Sequence, residues 1–265
     1  MKSEYEPIIF PTDPEFDTVE LYFAHDIHCG SLEADLAKWN RFKSEVLKEP
    51  NRFLILVGDY CENALVNTKG DIYESTMPPA SQKEWLTDEL YALRDRIVCI
   101  VPGNHESNRI TKMCGLYPVY DCAVQVGIED RYRNSFAFVD IGVGHRHTIK
   151  TFRQVRYVGF IAHRMKDIKA CNGADFIDGI EFAAFGHDHE PKDHPRAKLV
   201  YNPVRKTVSL KSVEVLNSGS FLNYGGYAAQ KGLRPMSDKC YKLILRDIEN
   251  GSDNRKSIST VGFYV

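Results

Sequence analysis

The chain has no C-x-x-C pair, no internal repeat, almost no net charge and no apolar run near the roughly 18 residues that a membrane-spanning helix needs. Each absence removes a class of protein. Cys29, Cys61, Cys99, Cys114, Cys122, Cys171 and Cys240 are odd in number and unpaired in spacing, which fits reduced, mostly buried thiols rather than a disulfide framework or zinc knuckle. Residues 1–11 carry Lys2, Glu4 and Glu6 where a secretion signal needs a continuous apolar core, so a cytoplasmic protein with no membrane contact is expected. A formal net charge of −2 gives no global attraction to nucleic acid or to an anionic membrane. With 43% hydrophobic and 26% charged residues over 265 positions, the chain can bury a substantial core as an ordinary globular protein.

What is present is a recurrence. Five segments place metal-ligand residues directly after a short apolar run: Ala24-His25-Asp26-Ile27-His28, Gly58-Asp59-Tyr60-Cys61-Glu62, Gly103-Asn104-His105-Glu106, Ala162-His163 and Gly186-His187-Asp188-His189. The runs before them, 19–24, 53–57, 97–101, 157–161 and 182–185, are rich in the β-branched and aromatic residues of buried strands. In α/β sheets, sites form at the carboxyl ends of strands, so these five loops can converge on one crevice.

Between the first strands lie helical patterns. Ser31 can cap a helix running to about residue 49, with Leu32, Leu36, Trp39, Phe42 and Val46 as its inward stripe. Ser81 and Glu84 form a capping box for a second, on which Trp85, Leu86, Leu90 and Leu93 face the core. The order is β-α-β-α-β. After Tyr132, the strand-like runs 136–143, 208–216, 241–248 and 257–265 predict a second, largely antiparallel sheet. Ligand loops fall in both halves and no linker separates them, so residues 1–265 read as a single domain.

Asp26 and His28 are two residues apart, and an extended backbone would turn both side chains to the same side. Asp59 has two oxygens and can bridge two ions, which a neutral imidazole cannot do. With Asn104, His163, His187 and His189, two four-ligand sets result, Asp26/His28/Asp59/His189 and Asp59/Asn104/His163/His187. Such sets suit Mn²⁺ first, with Fe²⁺/Fe³⁺, Zn²⁺ or Ni²⁺ as alternatives. A rival for the fourth loop is His145-Arg146-His147. His163 is preferred because its spacing before Gly186 leaves room for one helix, around 165–178, and a returning strand.

In this order D-x-H, G-D-x-x-E, G-N-H-E, a lone His after a strand and G-H-x-H resemble the calcineurin-like metallophosphoesterase superfamily, over the span from Asp26 to His189. The resemblance implies a four-layer α/β/β/α sandwich of two mixed β-sheets flanked by helices. It also implies a binuclear metal centre and phosphoester hydrolysis by a metal-bridging hydroxide. His105 then corresponds to the general acid, and Glu62 to a carboxylate that orients it.

Departures from the pattern leave the substrate open. The segment around Gly103-Asn104-His105-Glu106-Ser107 and Arg109-Ile110-Thr111 is similar to the Ser/Thr protein phosphatases. Those have D-R-G where this chain has Glu62-Asn63-Ala64, and glycine where Cys29 and Arg164 stand. Arg164 could contact a substrate phosphate bidentately. Residues 131–169 hold nine basic and two acidic side chains, a candidate surface for an anionic substrate. A phosphorylated small molecule, nucleotide or nucleic acid is expected as substrate. The competing readings are a phosphodiesterase or nuclease acting on DNA, RNA or cyclic nucleotides, and a non-catalytic binding module on the same fold.

Overall fold

The computed structural model describes residues 1–66, 68, 72–148, 151–164, 177–248 and 255–265. Two mixed sheets face each other. The five-stranded sheet has the order β12 (Arg255–Tyr264), β11 (Lys239–Ile248), β2 (Thr18–Ala24), β3 (Arg52–Leu56), β4 (Ile97–Ile100). The seven-stranded sheet runs β1 (Ile8–Pro11), β5 (Phe136–Thr148), β6 (Thr151–Ala162), β7 (Phe182–Phe185), β10 (Thr207–Asn217), β8 (Lys192–Asp193), with β9 (Arg196–Asn202) pairing with the first part of β10.

Side-chain alternation sorts the layers. On β2, Val19, Leu21 and Phe23 enter the core between the sheets, where Val139, Ile141, Ile161 and Phe182 of the other sheet meet them. Tyr22 and Ala24 point the opposite way, towards Trp39 and Phe42 of α1 (Leu36–Leu47), Leu86 and Leu90 of α2 (Pro79–Leu93), and the helices that follow β4. Those comprise a π-helical segment, His105–Thr111, the short α3 (Lys112–Cys114) and α4 (Pro118–Val126). The far face of the seven-stranded sheet carries its own apolar cluster, Phe160, Ala183, Phe185 and Val215 with Ile177 and Ile180. Of the predicted helix around 165–178, residues 165–176 lie outside those described.

The β-α-β-α-β order holds, since β2, β3 and β4 are parallel and α1 and α2 are their crossovers. Both helix starts need correction. α1 is capped by Asp35, whose carboxylate accepts the Lys38 N–H at 2.8 Å, whereas the Ser31 hydroxyl donates to Glu33. Leu32 therefore falls outside the helix and is 60% exposed. α2 starts at Pro79, where a missing N–H costs nothing, two residues ahead of Ser81. The second sheet is not largely antiparallel. β6, β7 and β10 run parallel, and the β11–β12 hairpin joins the first sheet by pairing antiparallel with β2. Its Leu243 and Leu245 thereby reach the inter-sheet core.

Candidate metal centre

The carboxyl ends of β2, β3 and β4 carry three of the loops, and those of β6 and β7 the other two. Chain geometry there is unusual. Asp26, His28, Asp59, His187 and His189 have φ of 52°, 51°, 52°, 77° and 57°. Left-handed backbone at a non-glycine residue costs on the order of 1–3 kcal/mol and persists only where its surroundings enforce it. The extended Asp-x-His backbone inferred from spacing is therefore corrected, although both side chains still converge. Close approach of two loops requires glycine. A Cβ at Gly58 would lie 2.5 Å from the Gly103 nitrogen, and one at Gly103 would overlap the Asp59 carboxylate.

Two groups of ligand atoms form, each within 4.8 Å of one another: Asp26/His28/His189 and Asp59/His163/His187. His28, Asp59 and His105 make a third group that links them. Asp26 Oδ1 lies 3.1 Å from His189 Nε2 and 3.5 Å from His28 Nε2, and Asp59 Oδ2 lies 3.1 Å from His163 Nε2. Asp26 Oδ1, His28 Nε2, Asn104 Oδ1 and His163 Nε2 are buried without hydrogen-bond partners. Each such atom costs about 1–3 kcal/mol if left unpaired, so a cluster of them is the expected environment of bound cations. The residues present thus fit the ions the ligand pattern implies.

The other face of each ligand is held. His163 donates its Nδ1–H to the Val57 carbonyl, and His28 donates its own to the Glu62 carboxylate at 2.9 Å, so in both rings Nε2 is left free. Asp26 Oδ2 takes the His187 N–H at 2.8 Å and the ring of His25. Asp59 Oδ1 takes the His105 N–H at 2.8 Å, leaving Oδ2 to face the centre. Burial would raise the Asp26 carboxyl, but the charges of His189 and His25 outweigh it and hold it well below the usual range. Asp59 is lowered in the same way, against burial, chiefly by His163. Conversely, burial disfavours charge on His28, yet the neighbouring carboxylates of Asp26 and Glu62 push it up to about 10. His163, beside Asp59, rises to about 9 against burial. The field that raises these imidazoles is the field a divalent ion would meet.

The remaining site candidates occupy three positions. His105 opens the π-helical segment, a local geometry enriched at functional sites. Its Nδ1 donates to the Glu62 carbonyl at 2.9 Å and its Nε2 is 4.0 Å from Asp59 Oδ2. Glu62 binds Arg109 Nη1 at 2.6 Å. Arg164 is exposed beside His163, and its charge is one of the influences that lower the His187 imidazole, after burial and His163. The rival histidines 145 and 147 sit near the other end of β5, where His147 pairs in register with Phe152, while Phe136 pairs with Ala162 next to His163. Cys29 and Cys61 are buried, and burial pushes the Cys29 thiol up to about 12, as befits a packing residue.

Sequence reasoning missed three supports. Glu106 is buried and its carboxylate accepts the main-chain N–H groups of Asp59, Tyr60, Cys61 and Gly103 at 2.8–3.1 Å, clamping two ligand loops together. Its place in G-N-H-E was the available signal. Asp188 is held by Lys192 at 2.7 Å and by Asn217, which steadies the left-handed turn between His187 and His189. His25 gave no signal, since a lone histidine is more often a core residue.

Acidic and imidazole side chains gathered at the strand ends of a two-sheet α/β fold form a candidate metal centre. The calcineurin-like phosphoesterase family model matches residues 23–191, and the chain belongs to that family. It is a hydrolase acting on phosphoester bonds. No curated protein sequence matches the chain. The crystal structure of a novel phosphatase from Mycoplasma pneumoniae is similar at 10% identity and a TM-score of 0.37, covering 94% of this chain and 95% of that one. A likeness of that degree carries no argument about function. Among the described residues no helix is long and apolar enough to cross a membrane.

Proposed function

We propose that the chain holds two divalent ions, Mn²⁺ ahead of Fe²⁺/Fe³⁺, Zn²⁺ or Ni²⁺, in Asp26/His28/Asp59/His189 and Asp59/Asn104/His163/His187. Its substrate is a phosphorylated small molecule, a nucleotide or a nucleic acid. The observation that carries this reading is the convergence of buried, unpartnered ligand atoms from both sheets. When bound, the ions supply an activated water and neutralise the phosphoryl oxygens. Asp59 would serve both sites, and with its Oδ1 engaged by the His105 N–H its Oδ2 is the oxygen left to hold an ion. His105 holds a proton at Nε2 for the leaving oxygen, while the Glu62 carbonyl fixes its Nδ1. Arg164, exposed at the mouth, offers a guanidinium to the substrate phosphate.

A metal-reconstituted activity screen tests this reading. It compares a phosphomonoester, a phosphodiester, cyclic nucleotides, and single- and double-stranded DNA. Turnover of at least one class with Mn²⁺, lost on chelation and in Asp59→Asn, is expected. A fully metallated protein inert towards all of them would favour a non-catalytic binding module.

A further inference from the structure

The sandwich has a second chemically distinctive end. From Arg196 to Ser212, β9, its turn and the first part of β10 contain five cations, Arg196, Lys198, Arg205, Lys206 and Lys211, and no acidic residue. In register, Leu199 faces Leu210 and Tyr201 faces Val208 across the ladder. These four side chains share one face and are 77%, 68%, 60% and 63% exposed, and Val204 at the turn is 90% exposed. The opposite face is the more covered one, with Lys198 donating to the Ile177 carbonyl at 3.1 Å. Aliphatic side chains thus point out and lysine stems lie in, the reverse of a solvated hairpin.

Position adds to this. β7 runs parallel to both β6 and β10, so the free end of the arm and the start of β6 lie at the end of the sheet away from the ligand loops. The β5–β6 hairpin extends to the same end. The two hairpins are separated by β7, hence by roughly 10 Å, and the β9–β10 arm extends about 20 Å at the usual rise per residue.

We propose that this end of the molecule docks on an anionic lipid bilayer, with the apolar face of the β9–β10 arm at the acyl boundary and the exposed Arg205 and Lys206 of its turn among the headgroups. A polynucleotide would take the cations and one base could stack on Tyr201, but it gains nothing from the outward Leu199, Leu210 and Val208. A second copy would take the apolar face but would bring Arg205 and Lys206 of one turn close to the cations of the other. A bilayer with anionic headgroups satisfies both features, and it leaves the ligand loops facing solvent.

The experiment is flotation of the full chain with vesicles of phosphatidylcholine and phosphatidylglycerol in equal parts, against phosphatidylcholine alone. The variants are Leu199→Ser with Leu210→Ser and Arg205→Ser with Lys206→Ser, each checked for unchanged thermal unfolding. The native chain should float only with the anionic vesicles and less at high salt. Each double variant should bind on the order of tenfold more weakly or worse, in line with the contribution of an apolar contact or a cation at a charged surface. Absence of flotation, undiminished flotation of either variant, preference for duplex DNA over vesicles, or a dimer dissociated by the leucine variant would overturn the proposal.

Discussion

Glu62 joins two histidines through two different groups: its carboxylate accepts the Nδ1–H of His28 at 2.9 Å, and its main-chain carbonyl accepts that of His105 at 2.9 Å. Arg109 closes the unit from behind, at 2.6 Å from the same carboxylate. One residue therefore fixes the tautomer of a candidate ligand and that of the candidate acid. Only the first of these bonds depends on its side chain.

That division makes Glu62→Gln informative. The substitution removes the charge facing His28, which also lies 3.4 Å from His105 Nδ1, while keeping the carbonyl that holds His105. Metal affinity at the Asp26/His28 site should fall about 10–100-fold, the usual effect of losing the partner behind a ligating histidine. Chelator competition on the loaded protein measures it. Unchanged affinity would show that His28 needs no carboxylate behind it.

Asp59 belongs to the group with His163 and His187 and also to the linking group with His28 and His105, whereas Asp26 belongs to one group alone. Asp59→Asn should therefore weaken occupancy of both ions, and Asp26→Asn mainly of one. Elemental analysis of the purified variants decides between them. Two tightly held ions in Asp59→Asn would remove the shared-ligand assignment.

How much of this was legible in the chain follows from the range of each signal. Ligand loops after apolar runs are local patterns, so all seven candidate ligands could be named, and the parallel β2-β3-β4 unit could be read from alternating strand and helix periods. The partner of β11 could not be. Tyr241–Ile248 reads as an antiparallel strand whichever sheet it joins, and only burial of Leu243 and Leu245 against the opposing sheet decides it. The left-handed backbone at Asp26 and Asp59 was equally hidden, because nothing in an aspartate announces it. Those turns are enforced from a distance. Phe221 N–H donates to the Asp26 carbonyl at 3.1 Å, and Phe221 itself is held by Trp39 and Phe42 of α1.

Away from the centre, Glu20 offers a pH test. Its carboxylate lies 2.8 Å from Lys242 Nζ and 3.0 Å from Arg52 Nε, linking β11, β2 and β3, and it accepts the Tyr22 hydroxyl at 2.9 Å. Burial would raise its pKa, but Lys242, Tyr22 and Arg52 together lower it from 4.5. A depressed carboxyl stabilises the fold fully above its unfolded value and loses that contribution as pH falls through the folded one. Glu20→Gln should therefore cost about 1 kcal/mol at neutral pH, at the upper end for a part-exposed pair, and almost nothing in strong acid. Urea unfolding of the metal-free protein at both pH values is the measurement. An equal cost at both would assign the effect to packing.

His105 provides the sharpest test of the chemistry. A proton donated to the leaving oxygen matters most when that oxygen belongs to a poor leaving group, since a group of low pKa departs as its anion unaided. His105→Ala leaves every candidate ligand in place, so both ions should be retained. On alkyl phosphate or nucleoside esters the rate should fall on the order of 10²–10⁴-fold, the range usual for acid–base catalysis, and on p-nitrophenyl esters much less. Rates on a series of esters of graded leaving-group pKa, with metal content measured alongside, give the slope directly. The variant should show the steeper dependence. An equal loss across the series with both ions bound would mean that His105 binds the phosphate or stabilises charge, and loss of an ion would make it a ligand instead.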